Sequence, residues 1–414
     1  MRIRGLSSLM IGVMLLATAV ALTTPQVSSA QSEIHLGATL AESGPFASAV
    51  GPFRKFYNAW VDDVNKQGGI FVKSAGKKLP LRFTLYDDKS DQKTSVKFYE
   101  KLVTDDKVDF LIGPFSSPLT FAASTVAEKH KIPMILGCAN DPAIFTRGYD
   151  YIFATLETAL KWADPYLDMV KEEGKAKTIA FLTMDILNSR GITAGAIPAA
   201  EDRGLKVLAN EIAPPNATDF SPIIAKFKAL NPDIVWVSSF AAFSSTFMKQ
   251  AKELDLTPRE FHVTHPTQGF FKALGNDANY VTGDVIWTES MTFSGQDYFK
   301  RLVKATGLDY FAYPWMPCFM WTFQMTEWAI DKAGSLDRET LKKVLEKAEF
   351  ESISGPVKVR TYEYRGQKMK NIATIPMFPM QFVNVDQRQV HMLMPKQYRN
   401  GPHIYPTPPW RERK

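Results

Sequence analysis

Cysteine is nearly absent: Cys138 and Cys318 are the only two in 414 residues. That excludes the disulfide framework by which small secreted domains are stapled, and spacing alone leaves open whether these two pair with each other. Charge of one sign is also scarce. The formal charge is +6, of which Arg2 and Arg4 supply two, and acids and bases are interspersed elsewhere, as Lys347 is among Glu346 and Glu349. No Lys/Arg stripe with interleaved aromatics occurs, which excludes nucleic acid as a partner. Beyond the first thirty residues no apolar run approaches the roughly 18 residues of a membrane span, and no short-period repeat is present. Catalytic signatures are missing as well: there is no Gly-x-Ser-x-Gly elbow, no phosphate loop and no Cys–His arrangement. His262 and His265 lie three apart on an expected strand and so face opposite sides, which prevents them from sharing a metal ion. The paired acids Asp87-Asp88 do not by themselves define acid and base roles. With these absences, no set of residues points to enzymatic activity, a metal or a cofactor.

The composition that is present, 45% hydrophobic and 22% charged, is that of a folded chain long enough for two domains. Residues 1–30 stand apart. Arg2 and Arg4, the apolar run Leu9 to Leu22, and Val27-Ser28-Ser29-Ala30 read as a cleaved secretory signal peptide. A mature, exported chain would then begin near Gln31, and with no cysteine at the cleavage site a lipid anchor is not indicated.

Thereafter strands and helices alternate. Ile34 to Leu40 reads as a strand running into Ser43-Gly44-Pro45-Phe46. Phe53, Phe56, Tyr57, Trp60, Val61 and Val64 then fall on one helical face, stopped by Gly68-Gly69. Leu81 to Tyr86 is a second strand. Val108 to Ile112 and Ile132 to Leu136 are short buried strands flanking a helical segment, a βαβ unit whose loops, Gly113 to Ser117 and Gly137 to Asn140, share one rim. From Tyr151 a second series begins: helix 160–171, strand 178–182, helix 191–203, helix 221–230, strand 234–237 ending in Ser238-Ser239-Phe240, helix 244–254, and strand 261–264 ending at His265-Pro266. The fold class that follows is α/β, two doubly wound (Rossmann-like) lobes. A helix through Cys318 and Trp321 comes next, then strand-like alternation from Val357 to Tyr364 and from Met377 to Val383. The proline-rich tail from Gly401 to Trp410 reads as an extended strap.

Taken in order, Ser43-Gly44-Pro45-Phe46, Asn65 to Ile70 (NKQGGI), Tyr86 to Asp91 (YDDKSD), Ile112 to Pro118 (IGPFSSP), and Asp219-Phe220-Ser221 with Asn231-Pro232-Asp233 resemble the periplasmic substrate-binding proteins of the branched-chain amino acid and amide ABC transporter class. The resemblance covers nearly all of the mature chain. It implies two lobes joined by three crossover strands, with the ligand cleft between them and crossings near Phe153, Thr288 and Gly355. One lobe would hold 31–152 and 289–355, the other 153–288 and 356–414 with the strap. It further implies that Ser117, with Ser116 beside it, and Cys138, Ala139 and Asn140 grip a ligand carboxylate or amide. Phe46 and Phe115 would be apolar walls near Ser43, while Phe240 and His265 would close from the second lobe. Helix capping is the competing role for Ser116 and Ser117.

Amino acid binders of this class carry an acid and a tyrosine on the second lobe for the ligand ammonium. Here those places fall at Thr264-His265 and Leu187-Asn188, so either Asp185 or another acid substitutes or the ligand has no ammonium; Arg190 and His265 point to an anionic or neutral ligand. The resemblance implies a periplasmic monomer that captures a small amino acid-like, amide or organic acid ligand, aromatic acids included, and delivers it to membrane permease subunits. A sensing protein that signals to a receptor is the alternative on the same fold.

Overall fold

Two seven-stranded sheets, each flanked by helices, carry the chain in a computed structural model that describes residues 31–413 apart from Thr292, Ser294 and Thr374. The signal peptide expected over 1–30 lies outside the described residues. In the first sheet the strands run Arg360–Tyr364, Gln367–Ile372, Ile152–Ala154, Met134–Leu136, Phe110–Ile112, Ile34–Leu40, Leu81–Asp87. All pair in parallel except the hairpin of the first two. Ile34–Leu40 lies between two neighbours and is buried along its whole length, with its two polar side chains bonded, His35 to Thr84 and Thr39 to Asp88.

The second sheet runs Gln389–Met392, Phe378–Asn384, Thr282–Val285, Glu260–Val263, Ile234–Ser238, Thr178–Met184, Lys206–Ala213. Its last five strands are parallel, and Phe378–Asn384 joins antiparallel to both of its neighbours. Among the described residues the chain therefore passes between the sheets three times, after Ala154, after Val285 and after Ile372. Helices Gln296–Thr306 and Met316–Ala333 pack with the first lobe, the former against helix Arg54–Lys66. Trp60 of that helix stacks on Phe323 at 4.2 Å and donates to Glu327 at 2.7 Å. Its end requires glycine, because Gly69 has φ +91° and any Cβ there would lie 2.1 Å from the Leu79 carbonyl oxygen.

Two expectations are corrected. The expected assignment of 356–414 to the second lobe fails for the hairpin Arg360–Ile372, which extends the first sheet through Ile372 and Ala154. Met369 and Ile372 are fully buried there, in a cluster with Leu111, Met134 and Ile152, so the third crossing comes after Ile372 rather than near Gly355. Strand alternation identified the strands; only packing distant in sequence decides which sheet they join. Strands Lys206–Ala213 and Thr282–Val285 were not anticipated, the first being a half-exposed edge without clean alternation and the second carrying Gly283.

The proline-rich tail is tied to the second lobe. Ile404 exchanges two hydrogen bonds with Gln381, Thr407 donates to the Arg259 carbonyl, and Trp410 donates to the Leu256 carbonyl. His403 sits between Glu173 and Glu260, 2.9 Å and 2.5 Å away. Among the described residues no helix is long and apolar enough to cross a membrane.

Candidate ligand site between the lobes

The loops after Phe110–Ile112 and Met134–Leu136 lie side by side at the carboxyl ends of their strands, as parallel sheets require of binding loops. Ser116 turns the first loop with φ +80°, a conformation that a non-glycine residue holds only where its surroundings enforce it. Its hydroxyl caps nothing: the Ser116 side chain makes no capping bond to helix Ser117–Lys129, and its Oγ is buried without a partner. Ser117 Oγ accepts from the backbone N–H groups of Asn140 and Asp141, each at 3.3 Å, and so ties the two loops together.

Asn140 carries the connection onward. Its Nδ2 donates to the Glu157 carbonyl at 3.1 Å, and its Oδ1 accepts from Asn188 Nδ2 at 2.9 Å. Asn188 belongs to helix Leu187–Asp202 of the second lobe. Ser117, Asn140 and Asn188 thus form one hydrogen-bonded chain across the cleft. Tight backbone contact supports it, since a Cβ on Gly191 would lie 2.5 Å from Asp141 Oδ2.

Aromatic rings complete the walls. Phe46 and Phe115 from the first lobe meet Phe240 from the second, with Phe46 5.9 Å from Phe115 and 5.6 Å from Phe240, both edge-on. Next to them the His265 ring contacts Phe240, Trp162 and Trp315, with centroids 4.9, 5.1 and 5.0 Å away. Between these rings is a cavity of about 20 Å³, enough for roughly one water. Phe115, Ser116, Ser117, Cys138, Asn140 and Trp315 line it from the first lobe, Asn188, Phe240 and His265 from the second, and Leu156 and Trp162 from the first crossover. Phe115 and Phe240 also border an apolar recess of about 270 Å³ that includes Phe46, Met184, Ile186 and Phe243, so these two rings partition the cleft.

The cavity is rich in hydrogen-bonding groups and poor in charge. Ser116 Oγ, Asn188 Oδ1 and Trp315 Nε1 are buried and unpartnered, whereas buried polar groups ordinarily find partners. Among the described residues no Asp, Glu, Lys or Arg lines it. Burial pushes the His265 imidazole down to about 3, so it is neutral. Its Nδ1 lies 2.8 Å from Thr264 Oγ1 and 3.1 Å from the Ser239 carbonyl; because a carbonyl oxygen can only accept, the proton is assigned to Nδ1, which makes Nε2 a lone-pair acceptor. Asp141, just outside the lining, accepts from the Ala143 N–H at 2.8 Å. Burial pushes its carboxyl up to about 7, so near neutral pH it is only partly ionised.

Of the residues singled out in the sequence, Phe115, Ser116, Ser117, Cys138, Asn140, Asn188, Phe240 and His265 are brought to one cavity, with Phe46 at the neighbouring recess. Ser43 is not among them. Its hydroxyl donates to Asp87 Oδ2 at 2.7 Å on the exposed face of the first lobe. Ala139 is buried without lining the cavity. Asp185 and Arg190, expected near a ligand, pair with each other on the surface, so neither supplies a charge to the cavity. His262 is bonded inside the second lobe to Thr282 and Asp284, away from His265. Both cysteines are free, and Cys138 Sγ faces the Trp315 carbonyl at 3.9 Å.

Leu156, Trp162 and Trp315 were missed. Trp162 sits in the first crossover, where helical periodicity suggested core, and Trp315 precedes a helix in a Pro-Trp-Met-Pro stretch. An aromatic flanked by prolines in a loop was the available signal.

The family described as "Periplasmic binding protein" matches residues 33–386. The leucine-, isoleucine-, valine-, threonine- and alanine-binding protein of Pseudomonas aeruginosa is 26% identical over 323 residues, covering 76% of this chain and 84% of its own length. Among solved structures, the branched-chain amino acid transporter substrate binding protein of Streptococcus pneumoniae, in complex with isoleucine, superposes with a TM-score of 0.72 at 18% identity over 86% of this chain and 97% of its own. A solute binding protein of an ABC transporter from R. palustris, in complex with benzoate, does so with 0.67 at 18% identity over 84% and 93%. These relatives are binding proteins rather than enzymes, and their two-lobed fold is the one described above. With the match spanning both lobes and the cleft, the chain belongs to the periplasmic binding protein family.

Proposed function

We propose that this chain is the solute-binding component of an ABC importer, exported to the periplasm by its signal peptide, acting as a monomer, and closing its lobes over a small organic acid that it passes to a membrane permease. The composition of the cleft cavity carries the ligand class. Its lining offers neutral donors, Ser116 Oγ and Trp315 Nε1, beside the start of the 13-residue helix Ser117–Lys129, a set that receives a carboxylate without a basic side chain. For an ammonium it offers only Asn188 Oδ1 and the neutral His265, and a buried cation without an anionic partner costs several kcal/mol. The same two acceptors suit a hydroxyl on the ligand.

The Pseudomonas relative is named for amino acids, the R. palustris neighbour was solved with benzoate, and the aromatic walls and uncharged lining favour the second kind of ligand. Phe115 and Phe240 would shift so that cavity and recess join around its apolar body. Closure follows as a population shift, because only the closed arrangement lets one ligand reach Ser116 and Asn188 together. Titration calorimetry against benzoate, 4-hydroxybenzoate, leucine and short amides tests the reading. The aromatic acids are expected to bind at least tenfold tighter than leucine; tight leucine binding with none of the acids would sink it.

A further inference from the structure

A second cavity lies behind the wall that bounds the cleft site. Pro266 lines it where the adjacent His265 lines the cleft, and Pro314 and Pro317 line it while Trp315 between them faces the cleft. Its volume is about 290 Å³, close to the lower limit for small-ligand pockets. Both lobes build it. Phe271 and Phe382 come from the second, Tyr310 and Phe311 from the loop before helix Met316–Ala333, and Trp287 to Ser290 from the second crossover.

Its interior is aromatic: Phe271 stacks on Phe311 at 5.3 Å and contacts Phe382 at 4.7 Å, and Trp287 meets Tyr310 edge-on at 5.1 Å. Trp287 is 4% exposed, yet its Nε1 has no partner. By contrast, the indole N–H groups of Trp60, Trp162, Trp236, Trp321 and Trp410 are all bonded. Trp315 is the other buried tryptophan with an unpartnered N–H, and it lines the cleft site. The two orphaned indoles therefore mark the two cavities. Charges of both signs stand at the mouth of the second. Arg388 bonds to Asp309 and lies 5.7 Å from the centre of the Phe311 ring. Glu289 lies beside the Tyr310 phenol, whose pKa is raised by burial first and by that carboxylate next.

We propose that this cavity is a second ligand site, for a small zwitterion whose carboxylate takes the Trp287 N–H and the Arg388 guanidinium, whose ammonium takes Glu289, and whose apolar body lies against Phe271, Phe311 and Phe382. An α-amino acid with an apolar side chain is the simplest such molecule. The cleft lining holds no charged side chain, so the two cavities select different chemistry. Their common wall links them, and whatever one occupant does to the affinity of the other is returned equally.

Calorimetry on the purified mature protein with L-phenylalanine, 3-phenylpropionate and phenethylamine provides the test. L-Phenylalanine is expected to bind, with the two analogues that lack one charge at least tenfold weaker. Glu289→Gln, a shape-preserving change on an exposed residue, and Val390→Trp, which fills the cavity from its lining, should each lower that affinity at least tenfold. Absence of L-phenylalanine binding at millimolar concentration, equal affinity for all three compounds, or a loss under threefold in Glu289→Gln overturns the proposal. If binding is instead indifferent to Glu289→Gln and abolished by Asn188→Ala, the zwitterion sits in the cleft, which overturns the organic acid reading too. No L-phenylalanine binding alongside tight benzoate binding removes only the second site.

Discussion

Replacing His403 with alanine is expected to lower the unfolding free energy by about 3 to 5 kcal/mol at pH 6, the range found when one partner is removed from a buried ion pair. Glu260 is fully buried and His403 is 8% exposed. The Glu260 carboxylate also accepts from Tyr166 and, at 2.7 Å, from Thr282, but His403 is the cation that balances it. Burial pushes the His403 imidazole down, while Glu260 and Glu173 push it up and prevail, leaving it above its ordinary 6.5. For Glu260, burial raises the carboxyl and His403 lowers it, and the net result lies below the ordinary 4.5.

The signs fix the pH dependence. The raised His403 pKa contributes stability that is complete below 6.5 and is lost as pH rises through the folded value. The depressed Glu260 pKa contributes stability present above 4.5 and lost as pH falls through its folded value. Urea unfolding of wild type should therefore show this contribution largest between about pH 4.5 and 6.5 and fading on the alkaline side, with the alkaline loss absent in His403→Ala. Adding Glu260→Gln to that variant should recover part of the deficit, because the orphaned charge is then gone. A His403→Ala protein within 1 kcal/mol of wild type at pH 6 would show that the tail is held by its other ties.

Asn140→Ala is expected to weaken cleft binding by about 10- to 100-fold while the protein still folds, equivalent to about 1.4 to 2.7 kcal/mol and within the cost of leaving buried polar groups unpaired. The truncation removes the acceptor for Asn188 Nδ2 and the donor for the Glu157 carbonyl, and the first of these bonds joins the lobes. Loss of an interlobe bond acts on the closed state alone, so the effect should appear mainly as faster ligand release. Asn140→Asp separates geometry from charge: it keeps the acceptor oxygen but places a carboxylate beside the cleft proposed to take an acid, and should bind organic acids more weakly still. Stopped-flow displacement of bound benzoate measures both variants, and unchanged release rates would remove Asn140 from the site.

The first lobe's rim was legible because parallel strands buried on both faces read as apolar runs, and the residues after such runs fall on the binding edge; the loops Gly113 to Ser117 and Gly137 to Asn140 follow from that rule, while the choice of Ser117 and Asn140 within them came from the resemblance. Asn188, Phe240 and His265 lie after strands of the second series, where the same rule places its rim, and they line the same cavity. What resisted reading depended on contacts between distant segments. Nothing local in the Trp162 or Trp315 stretch tells whether an indole faces a core or a cleft. The alternation of Arg360 to Ile372 fixes a hairpin but not the sheet that accepts it. Asp185 and Arg190 were credible ligand partners until their own proximity, five residues apart at a helix start, paired them with each other.

The chain passes between its lobes three times, and those passages behave like three pins in one door. A single linker lets two bodies swing, twist and slide. Three linkers fixed at both ends leave the two bodies far fewer ways to move. The lobes are thus expected to travel one path whatever ligand is in the cleft, reaching the same final outline. A partner in the membrane that recognises this outline would be reading a mechanical position, and the identity of the cargo would not need to be inspected twice.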